Sequence, residues 1–152
     1  MAAPVLTFTD ASSATLASFS FGSADAGSTT SAKVLYVWNN KGGGTLVSDT
    51  AQTTFTTKTF TGLDTGDTVP NGQEVVTNSI LGVQCTSQGD VGYTQVSGST
   101  TTAPIGSAAG GVGIIKGNVN GDASILNLRL TVPPTVTPGA AQWLGRVAYL
   151  YS

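Results

Sequence analysis

Short runs of β-forming residues, separated by Gly, Pro, Asn and Asp, recur along the whole chain. The clearest run is 124–132, in which every second residue from Leu126 to Val132 is aliphatic and the residues between them are polar or charged. This alternation predicts a strand that buries one face. Residues 32–38 carry apolar side chains on both faces, which predicts a central strand covered on both sides. No segment of a dozen residues shows helical periodicity, so the pattern predicts an all-β chain of about nine strands.

The chain organisation predicted from these runs is one antiparallel sandwich. The length of 152 residues suits a single domain, and no internal repeat or linker divides the chain. We expect residues 11–152 to form that domain. The sequence pattern of residues 1–10 predicts either an extended N-terminal arm or a first edge strand, and both interpretations remain open. As an arm, this segment would contact a partner through its apolar side chains, which are Pro4, Val5, Leu6 and Phe8.

The composition is typical of a β protein and argues against binding to nucleic acid and insertion into a membrane. Charged residues make up 9% of the chain, against roughly 25% in most globular domains, and Thr and Gly are abundant. Thr is β-branched and suits the solvent face of a strand. The net charge is −2 and the six basic residues are dispersed, which argues against nucleic-acid binding. No run approaches the roughly 20 apolar residues of a membrane span, and no signal peptide is recognisable, so we expect synthesis in the cytoplasm.

The sequence contains few residues of the types that usually carry out catalysis. The sequence has no histidine and one cysteine, which removes Ser-His-Asp and Cys-His catalysis and the usual zinc sites. The remaining acidic candidates lie among turn residues, and neither 64–67 nor 118–122 follows the spacing of a twelve-residue calcium loop. We therefore predict no enzyme activity, catalytic residue, metal or cofactor. Cys85 lies in a strand-like run and is predicted to be a buried apolar residue. The acidic candidates are Asp64, Asp67, Asp90 and Asp122.

Aromatic residues occur at strand spacing near the two ends of the chain. Packing in the core is the favoured interpretation of this spacing. The alternative is a platform that stacks on sugars, which would need these rings to be exposed on one face. The residues concerned are Tyr36, Trp38, Trp143, Tyr149 and Tyr151.

Two segments resemble bacterial immunoglobulin-like modules. The first runs from Phe21-Gly22 through 34–39 to the glycines at 42–44 and Leu46-Val47-Ser48, and it resembles the opening hairpin of such modules. The second is the turn 132–139 followed by 143–151, which is similar to their last hairpin. The resemblance implies an immunoglobulin-like antiparallel β-sandwich.

The chain also resembles small structural proteins of tailed bacteriophages, through Trp38-Asn-Asn-Lys-Gly-Gly43, Val47-Ser-Asp-Thr50 and Arg146-Val-Ala-Tyr-Leu-Tyr151. This resemblance implies a virion protein on the capsid surface, made in the host cytoplasm, that binds the major capsid protein as a decoration (cement) protein. The alternative is a tail, baseplate or head-fibre module that binds host-surface glycan. Because strand edges in a chain of low charge invite self-pairing, a homo-oligomer is also left open.

Overall fold

Two antiparallel sheets contain nearly all the regular structure in a computed structural model, which describes residues 1–18, 20–59 and 71–152. The prediction of an all-β chain is confirmed. The described residues also contain a six-residue helix α1 (Gly72–Thr77) and a short 3-10 turn (Thr86–Gln88). Their eight strands are β1 (Leu6–Thr9), β2 (Lys33–Asn39), β3 (Ala51–Thr59), β4 (Leu81–Cys85), β5 (Thr94–Gln95), β6 (Ala103–Pro104), β7 (Asp122–Leu130) and β8 (Trp143–Leu150).

The sheets differ in size and enclose one hydrophobic core. The larger has five strands in the order β1-β2-β7-β4-β5, and the smaller has three in the order β6-β3-β8. Buried side chains of both sheets belong to one cluster, for example Leu35, Val83 and Leu126 from the larger sheet with Phe55 from the smaller. Burying one such side chain stabilises the fold by roughly 1.5–3 kcal/mol. The sheets therefore pack face to face as a sandwich.

Strand β7 follows its sequence pattern, whereas β2 departs from it. Leu126 and Leu128 of β7 are fully buried, while Asn127 and Arg129 between them are partly exposed, as the alternation predicts. In β2 only one face is buried. The prediction of a strand covered on both sides is wrong, because Val34 is 40% exposed on the outer face, which β2 shares with partly exposed aromatic rings.

Buried threonines anchor the long loops. Thr50 and Thr53 are fully buried, and their hydroxyl groups are 2.7 Å apart. The Thr50 hydroxyl also accepts a hydrogen bond from the backbone N–H of Ile115. Thr56 is 1% exposed and donates to the carbonyl oxygen of Gly98. The expectation that threonine serves the solvent face is therefore wrong for these residues, whose hydroxyls satisfy loop backbone groups instead.

The short helix α1 was not predicted. The sequence pattern of residues 75–86 predicts one or two strands, but only Leu81–Cys85 is a strand, and Val75 and Val76 pack into the core from the helix. Six residues are too few to display a helical period. The glycines, Pro70 and Asn71 in residues 62–72 predict a loop, most of which lies outside the described residues. No helix in the described chain is long and apolar enough to cross a membrane.

Candidate interaction surfaces

The acidic candidates within the described residues make hydrogen bonds to residues close to them in the sequence. Asp90 accepts hydrogen bonds from the backbone N–H of Cys85 (2.9 Å) and from the side chain of Gln88 (2.9 Å). Asp122 accepts from the neighbouring N–H of Ala123. Nowhere in the described chain do three or more His, Cys, Asp or Glu side chains group as metal ligands. Asp64 and Asp67 lie outside the described residues.

The 118–122 loop is tied to the turn after β2. The carbonyl oxygen of Asn118 accepts a hydrogen bond from the Asn40 side chain (2.8 Å), and that of Asn120 accepts from the backbone N–H of Gly42 (3.1 Å). These carbonyl groups therefore join two loops.

Cys85 is fully buried, as predicted, with its sulfur 3.1 Å from the Ser124 hydroxyl.

The N-terminal segment forms an edge strand. β1 pairs antiparallel with β2, and Phe8 lies opposite Val37 and packs partly against the core. Pro4 is buried and Leu6 is half-buried, whereas Val5 is 56% exposed. The structure therefore does not bring the four predicted contact residues together on an exposed surface. Only Val5 among them presents most of its side chain to solvent.

Among the described residues, three of the four outer strand edges are short or covered. The backbone N–H of Leu16 donates to the carbonyl oxygen of Phe8, so residues 14–16 fold over the edge of β1. β5 has two residues, and β6 has two and includes Pro104. β8 differs, since it has eight residues and no proline. The apolar run at residues 141–151 predicts a strand, but nothing in the sequence indicates that this strand lies at an edge.

A groove of about 620 Å³, here called the terminal groove, lies beside the end of β8. Met1, Leu46, Leu150 and Tyr151 line it and are each more than half exposed. An ion pair between Asp49 and Lys116, 2.8 Å apart, also lines the groove. The hydrogen bond from Lys116, with a second from the backbone N–H of Gly117, lowers the pKa of the Asp49 carboxyl below its ordinary value. The groove thus combines exposed apolar side chains with polar residues, and its two charged side chains are paired.

The outer face of the larger sheet carries the second candidate surface, here called the aromatic face and defined by Tyr36, Trp38, Gln84 and Asn127. The rings of Tyr36 and Trp38 are stacked with centroids 6.2 Å apart, and both are partly exposed. The side chains of Gln84 and Asn127 are hydrogen-bonded at 3.2 Å. Lys41 lies 6.0 Å from the Trp38 ring. Core packing is therefore the wrong interpretation for Tyr36 and Trp38.

The C-terminal aromatics are also incompletely buried. Trp143 packs against the core and stacks on Phe21 at 6.0 Å, yet remains partly exposed. Tyr149 is half-buried, and Tyr151 is 55% exposed. The prediction of core packing is thus wrong for Tyr151 and only partly right for Trp143.

The whole chain matches no protein-family model, no curated protein and no solved structure.

Proposed function

We propose that the protein is a non-enzymatic virion structural protein of a tailed bacteriophage, which decorates the outer surface of the capsid and stabilises it. The terminal groove carries this proposal. Exposed apolar side chains line part of it, and the two charged side chains in its lining, Asp49 and Lys116, are paired with each other. A surface of this kind loses little on desolvation when it meets a protein partner, because unpaired charges are the costly groups to bury.

The proposed architecture is an immunoglobulin-like sandwich. In that fold, strands A, B, E and D form one sheet and C, F and G the other. The strand orders support the assignment of β1, β2, β3, β4, β7 and β8 to A, B, C, D, E and F, with β5 and β6 as additions between D and E. The neighbours B–E, E–D and C–F are all antiparallel pairs here.

Decoration would act by binding alone. The major capsid protein would insert apolar side chains into the terminal groove and bury surface across neighbouring subunits. Stable interfaces bury about 1,200–2,000 Å² in total, and a repeated lattice strengthens weak contacts through avidity. Each bound copy would then raise the free energy needed to separate the subunits.

Binding to purified heads that lack the protein tests this proposal. We expect saturable binding and a higher temperature of head disruption. Leu46→Lys places a charge in the groove and should weaken binding at least tenfold, whereas Val91→Lys, at a fully exposed position outside the groove lining, should not. Folded protein that does not bind the heads, or binding that is unchanged by Leu46→Lys, would count against capsid decoration through this groove.

The aromatic face favours a second candidate, a module that binds host-surface glycan. Stacked rings beside amide side chains suit sugars, whose apolar faces pack on aromatics while their hydroxyls bond to amides. Tyr36 and Trp38 are partly exposed on one sheet face, and Asn127 lies on the same face opposite Val34, the neighbour of Tyr36 on that face. We expect Trp38→Ala to abolish binding to host cell wall while leaving head binding intact. Binding to cell wall without binding to heads would favour this second function over decoration.

A further inference from the structure

The outer edge of β8 is the longest unprotected strand edge in the part of the chain that the structure describes. β8 pairs with β3 along its inner edge, through a ladder from Ala51↔Leu150 to Thr59↔Trp143, and has no described neighbour on its outer edge. Proteins normally shield such edges with short strands, proline, charges or a covering segment. Residues 14–16 cover β1, while β5 and β6 have two residues each. Within the described residues no segment pairs with the outer edge of β8, which has eight residues, no proline and one charged side chain, Arg146.

The side chains of β8 are apolar and accessible. Leu144 is 42% exposed and Leu150 is 59% exposed. Trp143 and Val147 pack against the core but are only partly buried. A long, apolar edge is a template for an added strand, because outward N–H and C=O groups match those of any extended chain. Those of β8 make no further backbone hydrogen bond within the described residues.

We propose that a second copy of this chain occupies the edge, with the two β8 strands antiparallel about a two-fold axis at Val147. In this register Leu144 lies opposite Leu150 of the second copy, and Trp143 lies opposite Tyr151 of the second copy. Aliphatic and aromatic cross-strand pairs of this kind stabilise antiparallel sheets. The contact is isologous and closed, and it joins two three-stranded sheets into one of six strands.

The charge on β8 selects this register over its neighbours. Moving the axis to Arg146 would place the two guanidinium groups directly opposite each other, which is unfavourable. Moving it to Ala148 would place Leu144 opposite Ser152 and Arg146 opposite Leu150. With the axis at Val147, Arg146 instead faces the small Ala148 of the second copy. A slip by one residue would turn every side chain to the wrong face of the sheet.

Sedimentation equilibrium over a range of concentrations tests this proposal, which does not depend on the proposed function. We expect a species of twice the chain mass of 15.2 kDa. Ala148 is exposed and pairs with Thr54 in β3, so its substitution should leave the fold intact. Ala148→Lys opposes Arg146 of the second copy twice per dimer and should raise the dissociation constant about tenfold. Ala148→Glu supplies the matching charge and should lower it about tenfold.

Two further measurements fix the location of the contact. Val91→Lys is the control for an added charge and should leave the dissociation constant unchanged, because Val91 is fully exposed on the loop after β4. Amide exchange in residues 143–151 should slow as concentration rises, and circular dichroism should show every variant folded. A folded monomer at all concentrations, or equal dissociation constants for Ala148→Lys and Ala148→Glu, would overturn the proposal.

Discussion

The side-chain amide of Asn39 donates a hydrogen bond of 3.2 Å to the carbonyl oxygen of Ile115, which lies 76 positions further along the chain. The same amide donates to the carbonyl oxygen of Ser48 (3.0 Å), and its oxygen accepts from the backbone N–H of Val5 (3.1 Å). Asn39 is fully buried. One side chain at the end of β2 therefore joins three separate segments, one of which leads into the edge strand β1.

Asn39→Ala should be among the most destabilising polar substitutions in the chain. It leaves the carbonyl oxygen of Ser48 and the N–H of Val5 without their partner, whereas the carbonyl oxygen of Ile115 keeps its bond from the backbone N–H of Thr50. An unsatisfied buried group costs about 1–3 kcal/mol. We expect a loss of roughly 2–4 kcal/mol in the free energy of unfolding, measured by urea denaturation. Asn118→Ala is the control, because that side chain is exposed. Equal stability of the two variants would show that the buried amide contributes little.

A pair of glycine substitutions should separate backbone strain from steric overlap. Both Gly22 (φ 73°) and Gly121 (φ 91°) adopt positive φ. A Cβ at Gly121 would lie 2.8 Å from the Cα of Lys41, whereas nothing lies within 4 Å of one at Gly22. We expect Gly22→Ala to cost about 1 kcal/mol, from strain alone. Gly121→Ala should cost over about 3 kcal/mol, because the backbone must also move. Thermal denaturation that gives similar costs for both would contradict the steric argument.

Local patterns predicted the strands well where one face is buried and the other is not. Alternation in 124–132 identified β7 and its buried leucines, because a period of two follows directly from strand geometry. The same reasoning placed Tyr36 and Trp38 in the core and failed. An amphipathic ring fits equally well on a partly exposed face, and the sequence does not reveal whether another layer covers that face.

The candidate surfaces depend on long-range pairing that the sequence does not display. The apolar run that became β8 was predicted as a strand, but its edge position follows from β3 being its only described neighbour. Likewise, the position of Asn39 at the end of a strand predicts a hydrogen bond to local backbone, whereas its partners are Val5, Ser48 and Ile115. The terminal groove joins residues near both ends of the chain with residues from 46–51 and 114–118. Spacing along the sequence carries no signal for such groupings.

Acid should remove the contribution of the Asp49–Lys116 pair. The Asp49 pKa is lowered in the folded state, so its contribution is fully present above the ordinary value of 3.8 and is lost as the pH falls through the folded-state pKa. The Asp49 side chain is 43% exposed, which limits the contribution to less than about 1 kcal/mol. Wild type should therefore exceed Asp49→Asn in stability at pH 7 and lose that advantage below pH 3.8, measured by urea denaturation. A stability difference between wild type and Asp49→Asn that persists below pH 3.8 would contradict this account. So would an equal difference at pH 7 when both proteins also carry Lys116→Met.

The buried thiol offers a direct report on global unfolding. Cys85 is fully buried between the Ser124 hydroxyl and the carbonyl oxygen of Gly106, at 3.1 and 3.3 Å from its sulfur. A thiol reagent should therefore reach it only when the core opens, and its labelling rate should rise with urea in parallel with global unfolding. A second thiol introduced by Val91→Cys, at a fully exposed site, should label within the mixing time and serve as the control. If Cys85 labelled as fast in native buffer, the core around β4 and β7 would have to open locally, without unfolding of the whole sandwich.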